Sequence, residues 1–165
     1  MDINIAVFAS GSGSNAEQLI KHFQGVSEMT VSQVYCNKPD AFVLERAKNL
    51  DVPSLVFSRS EFKSEEFLAQ LESVDFIILA GFLWKIPEYL IQAFPEKIIN
   101  IHPALLPSYG GKGMYGSHVH ESVIVNKEKQ SGITIHLVNE NYDEGRTLFQ
   151  ASCDISPEDT PDSLA

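Results

Sequence analysis

The sequence predicts an α/β protein with a doubly wound, mostly parallel Rossmann-like sheet and an antiparallel C-terminal part. Three observations carry this expectation. Short apolar runs of strand length alternate with segments of helical spacing through the first hundred or so residues. The first run ends in a turn of small polar residues, where a doubly wound sheet meets its ligand. Past residue 102 the alternation gives way to a loop rich in Gly and Pro, then to two strand-like runs around a polar turn.

The elements follow in order. Ile3 to Ala9 reads as a strand buried on both faces. It stops at Ser10-Gly11-Ser12-Gly13-Ser14-Asn15, and Leu19, Ile20 and Phe23 recur at helical spacing from a start near Ser14. Residues 31–36 are a second strand, 41–50 a helix, 53–57 a third strand and 62–71 a helix. Residues 75–80 give the clearest strand signal. Pro87 is read as the first helical position of a helix reaching Phe94, and residues 98–101 as a fifth strand. Residues 103–116 are a long loop, 118–126 a helix, and 133–138 and 147–151 two strands expected to pair antiparallel. Near the C-terminus, Ser156-Pro157-Glu158-Asp159 and Thr160-Pro161-Asp162 both look like helix starts, each with a hydroxyl cap, a proline and acids in the first turn.

Length and composition bound what such a chain does. At 165 residues it is expected to form one domain. With 44% hydrophobic and 21% charged residues it is neither disordered nor collagen-like. Twelve Lys and Arg against 22 Asp and Glu leave a charge of −10, which argues against nucleic acid as the main partner. Cys36 and Cys153 make no disulfide framework. The start Met1-Asp2-Ile3-Asn4 has no basic n-region, and no apolar span reaches about 18 residues, so neither a leader nor a membrane segment is expected. The expected setting is a reducing, cytoplasmic one.

Three segments are candidates for chemistry. Gly11-Ser12-Gly13-Ser14-Asn15-Ala16 fits the G-x-G-x-x-G/A pattern, in which small residues let backbone N–H groups approach a phosphate at a helix N-terminus. It also fits a plain tight turn. The acid that would bind a dinucleotide's ribose is missing from Tyr35-Cys36-Asn37-Lys38, so a phosphorylated small molecule is favoured over NAD. Asn100 and His102 lie two apart at a strand end and share a face. They offer a carboxamide and an imidazole to a developing oxyanion, or simply a capped strand end. Asn139-Glu140-Asn141-Tyr142-Asp143-Glu144-Gly145 is a polar turn, solvated unless Asp143 approaches His102, where it would favour the imidazolium. His118, His120 and His136 lack the companion ligand spacing of a zinc site, so no metal is expected.

Taken in order, Gly11-Ser12-Gly13-Ser14-Asn15, Asn37-Lys38-Pro39-Asp40-Ala41, Leu79-Ala80-Gly81-Phe82, Asn100-Ile101-His102-Pro103-Ala104-Leu105-Leu106-Pro107 and Asp143-Glu144-Gly145 closely resemble the phosphoribosylglycinamide formyltransferases, folate-dependent enzymes of purine synthesis. The resemblance runs from Ile3 to about Ser163. It implies a formyltransferase fold, with residues 1–101 as a mononucleotide-binding half and 102–165 as a loop and folate-side half of one domain. It implies transfer of a formyl group from 10-formyltetrahydrofolate, as co-substrate, to the amine of glycinamide ribonucleotide, by a monomer or homodimer. Substrate phosphate contacts fall on Gly13, Ser14 and Asn15. The folate pocket falls on Leu83, Trp84, Lys85, Ile86 and Asn100, and on Asn139, Glu140, Asn141, Tyr142 and Asp143. Asn100, His102 and Asp143 fall on the catalytic trio. The family's folate-binding arginine finds no clear match between Ser58 and Glu66, where Lys63 is nearby but is not aligned with it. The family's further C-terminal helix, bearing a glutamate for the glycinamide end, is expected to be truncated here. A formyltetrahydrofolate hydrolase and a non-catalytic phosphate- or folate-binding fragment are the rival readings.

Overall fold

The computed structural model describes residues 2–165, which fall into two compact units, 2–99 and 100–165. The first unit contains β1 (Ile3–Ala9), α1 (Ser14–Phe23), β2 (Met29–Cys36), α2 (Val43–Asn49), β3 (Ser54–Val56), α3 (Arg59–Lys63), a 3-10 helix (Glu65–Leu71), β4 (Phe76–Leu79) and α4 (Glu88–Ala93). Its strands run in the order β3-β2-β1-β4, every pair parallel. The last five residues of β1 are all buried, as expected of a parallel strand covered on both faces. Strand order reverses between β1 and β4, so the loops leaving their C-terminal ends flank the position where such sheets receive ligands.

Aromatic rings fill the core of this unit. Phe8, fully buried, stacks on Tyr35 at 4.8 Å and meets Phe82 edge-on at 5.4 Å. Phe57, Phe62 and Phe67 close around it with centroid distances of 5.9 to 6.4 Å. The single helix expected over 62–71 is instead two pieces. Ser58 caps α3 in a reciprocal box with Glu61, and Ser64 adopts an extended conformation and caps the 3-10 turn through the Glu66 N–H. Two serine caps six residues apart thus restart the chain where apolar spacing alone suggested continuity. Pro87 is likewise the extended cap of α4, one position earlier than expected.

Strand β5 (Ile98–His102) passes from the first unit into the second, which continues with a loop to Gly116, α5 (Ser117–Val125), β6 (Gln130–Leu137), β7 (Thr147–Asp154) and α6 (Pro161–Leu164). β5 neighbours β6, and β6 pairs antiparallel with β7 from Gln130↔Asp154 to His136↔Thr147. Both strands of this pair extend three residues beyond the expected 133 and 151. Side-chain hydrogen bonds stitch the loop after β5. Buried Thr134 donates to the Ala104 carbonyl at 2.7 Å and accepts the Leu106 N–H at 3.0 Å, while Gln150 donates to the Leu106 carbonyl at 2.9 Å. Of the two expected C-terminal helix starts, only Thr160-Pro161 opens one, with a Thr160–Ser163 capping box. At Ser156 the backbone N–H bonds the Asp159 carboxylate at 2.8 Å and closes a turn instead. Among the described residues no helix is long and apolar enough to cross a membrane.

Candidate active site

In the first unit the glycine turn is built by close packing. Gly13 caps α1 in a left-handed conformation, φ 75°. A Cβ there would run into the Val43 side chain and come 2.8 Å from the Val43 Cα. Only glycine joins the positive φ to that approach of α2. Ser14 and Asn15, the first residues of α1, are exposed, so the helix N-terminus is presented to solvent without a side-chain cap. The second segment of this unit is tied to the same turn. Ser10 accepts the Leu83 N–H at 3.0 Å, and its own N–H donates to the Gly81 carbonyl at 3.1 Å. Leu83 and Trp84 are half-buried, Lys85 is exposed and Ile86 is buried.

Sequence reasoning passed over Arg59, immediately after the capping Ser58. Its guanidinium lies 5.5 Å from the Trp84 ring centroid. The signal was available, since Arg59 falls inside the 58–66 window where a basic residue was sought.

In the second unit the structure brings Asn100, His102 and Asp143 together. The alternation of β5 puts Asn100 and His102 on one face, and both reach the same carboxylate oxygen. Asn100 Nδ2 is 3.4 Å from Asp143 Oδ1, and His102 Nδ1 is 3.5 Å from it. His102 is buried, and its Nε2 lies 2.8 Å from the Tyr109 carbonyl, so both ring nitrogens face oxygen acceptors. Asp143 sits at φ 56°, a left-handed turn conformation that aspartate tolerates better than most residues. Its second oxygen accepts the Gly111 N–H at 2.9 Å. Burial pushes the Asp143 carboxyl up. His136, the Gly111 N–H and His102 together more than offset this and hold it below the ordinary aspartate value.

The rest of the polar turn spreads outward. Asn139, Glu140, Asn141 and Tyr142 are exposed, and the Asn139 side chain accepts the Asn141 N–H at 2.9 Å in a local turn. Gly145 closes it, because a Cβ at that position would fall on the Leu137 carbonyl. The three histidines weighed for metal stand in different settings. His118 faces Glu121 on α5 at 3.5 Å, His120 keeps a buried Nδ1 without a hydrogen-bond partner, and His136 lies against Asn100. That last contact was missed at the sequence level, where His136 was considered only as a ligand.

A sequence profile described as formyl transferase matches residues 3–165. The phosphoribosylglycinamide formyltransferase of Bacillus subtilis is 35% identical over 96% of the chain and 83% of its own length. The chloroplastic phosphoribosylglycinamide formyltransferase of Arabidopsis thaliana is 42% identical over 98% of the chain. The chain spans 58% of that plant protein and 54% of its Vigna unguiculata counterpart. Among solved structures, the phosphoribosylglycinamide formyltransferase from Anaplasma phagocytophilum superposes with a TM-score of 0.89 at 34% identity, covering 99% of this chain and 78% of its own. Glycinamide ribonucleotide transformylase 1 from Symbiobacterium toebii gives 0.87 at 30% identity, with the same coverage.

Proposed function

This chain belongs to the formyl transferase family, and from that premise we propose that it transfers a formyl group from 10-formyltetrahydrofolate to the amine of glycinamide ribonucleotide, a step of purine synthesis. The observation that carries the reading is the convergence of Asn100 and His102 on Asp143 Oδ1, at 3.4 and 3.5 Å. Such a group suits acyl transfer. The substrate amine attacks the formyl carbon, a C–N bond forms, and the carbonyl oxygen becomes a tetrahedral oxyanion. Asn100 donates an N–H to that oxygen, and His102 donates a proton or hydrogen bond. Asp143 faces His102 Nδ1 and orients the ring. Collapse breaks the bond to folate N10, which takes a proton as the attacking nitrogen loses one. His102 Nε2 leaves the Tyr109 carbonyl to engage the substrate.

The other assignments are carried by the same reading. Gly13, Ser14 and Asn15 present the α1 N-terminus to the substrate phosphate. Leu83, Trp84, Lys85 and Ile86 serve the folate, as do Asn139, Glu140, Asn141 and Tyr142. Arg59, held over Trp84, is the cation we assign to the folate tail, in preference to Lys63. The reaction needs no metal. We place it in a reducing compartment, in keeping with the free thiols of Cys36 and Cys153.

The test is loss of formyl from 10-formyltetrahydrofolate with and without glycinamide ribonucleotide. Loss only with the amine present is the expected result. Loss without it identifies a hydrolase, and folate binding without loss a binding module. Replacing His102 with Ala is expected to lower turnover by about 100-fold or more, as removal of one oxyanion donor does elsewhere. Near-normal turnover in that variant would remove His102 from the mechanism.

A further inference from the structure

His136 stands on β6 with 2% of its surface exposed; its Nδ1 has one close partner and its Nε2 has two, Asn100 Nδ2 at 3.0 Å and Asp143 Oδ1 at 3.5 Å. Nδ1 lies 2.8 Å from the Leu137 carbonyl oxygen. A carbonyl only accepts, so the ring hydrogen sits on Nδ1. In the neutral ring Nε2 then carries a lone pair. The nearest atom to that lone pair, at 3.0 Å, is the Asn100 side-chain nitrogen, which only donates; Asp143 Oδ1 stands farther off at 3.5 Å. The second Asn100 N–H points to Asp143 Oδ1 at the longer distance of 3.4 Å. Two acceptors, a ring nitrogen and a carboxylate, therefore select the same end of the carboxamide. The opposite orientation would set the amide oxygen against both.

We propose that His136 is a positioning residue for Asn100. By accepting one N–H it fixes the carboxamide with its nitrogen end toward Asp143, and it leaves the more weakly held second N–H to turn to the oxyanion. The proposal rests on the formyl-transfer reading, in which Asn100 is the oxyanion donor. His136 touches neither reactant. It acts by fixing a side chain whose two ends are nearly the same size and differ only in hydrogen-bonding sense. Without the acceptor at Nε2, the amide keeps only the long bond to Asp143, and its donor is no longer held ready for the transition state.

The experiment compares His136→Leu, which removes the acceptor, with His136→Gln, whose side-chain oxygen can replace Nε2. Both are made in the wild-type chain and in Asn100→Ala. The expected result for His136→Leu is a fall in kcat of about tenfold or more, with KM for both substrates within about twofold. His136→Gln is expected to recover most of the loss. In Asn100→Ala the Leu substitution should cost nothing further, because the residue through which it acts is gone. Equal losses in Leu and Gln, or an additive loss in Asn100→Ala, overturn the proposal and leave a structural histidine. The ring nitrogen-15 spectrum of His136 in the wild-type protein provides a readout independent of activity and of variant folding. A protonated Nδ1 with an unprotonated Nε2 is expected, and the opposite tautomer overturns the proposal. A wild-type chain that transfers no formyl group sinks the functional reading, and this spectrum still decides the orientation.

Discussion

The centre of the first unit is ring against ring: Phe8, Tyr35, Phe57, Phe62, Phe67 and Phe82, around a β1 strand whose last five residues are all buried. The second unit buries His102, Ser131, Thr134 and His136, four of the six buried polar residues among those described. The contrast separates two ways of fixing a chain. Aromatic burial is strong and weakly directional, and it makes a platform. Buried hydrogen bonds contribute less net stability, but they specify direction and are costly to leave unmade. Under the proposed function, the groups that aim hydrogen atoms stand in the second unit.

Two substitutions and one titration probe that contrast, from the largest effect to the smallest. Phe8→Ala removes the ring at the middle of the aromatic cluster and is expected to cost about 3–5 kcal/mol, read from urea unfolding. A cost below about 1 kcal/mol would mean that the cluster is not the mainstay of its unit. Thr134→Val keeps shape and volume while removing the partner of Ala104, Leu106 and Gln150. The expected loss is about 1–3 kcal/mol, accompanied by faster amide exchange at Leu106. Unchanged exchange there would show that the loop does not depend on this hydroxyl. The smallest effect is one of slope. Because the folded Asp143 carboxyl lies below its ordinary value, its stabilising contribution is complete above the unfolded pKa of about 3.9 and is lost as pH falls through the lower folded value. A carbon-13 titration of the Asp143 carboxyl is expected to give a midpoint below the ordinary aspartate value of about 3.9. A midpoint at or above that value would contradict the depressed carboxyl.

The same contrast explains what could be read in advance. β1, α1, β2 and β4 were legible because two-sided burial and helical spacing leave their mark on consecutive residues. The break at Ser64 was not, because Phe62, Phe67 and Leu71 keep apolar spacing across it. In β6 the alternation is present but inverted. Thr134 and His136 are buried while Ile133 remains 39% exposed, so an apolar count points to the wrong face. The strand's inward side is chosen by the partners of its polar atoms, which lie in β5 and the loop after it. For the site, Asn100-x-His102 and Asp143 were visible as residue types at a strand end and a turn. His136 was not, since its meaning depends on Asn100, 36 positions away.

The glycine that closes the polar turn reaches further than backbone geometry. Gly145 lets the chain lie directly over the Leu137 carbonyl, the oxygen that receives the His136 Nδ1 hydrogen. A methyl group there would displace the oxygen and free the imidazole to carry its hydrogen on the other nitrogen. A residue with no functional group would then decide which of two tautomers the buried ring adopts, through an atom it does not own.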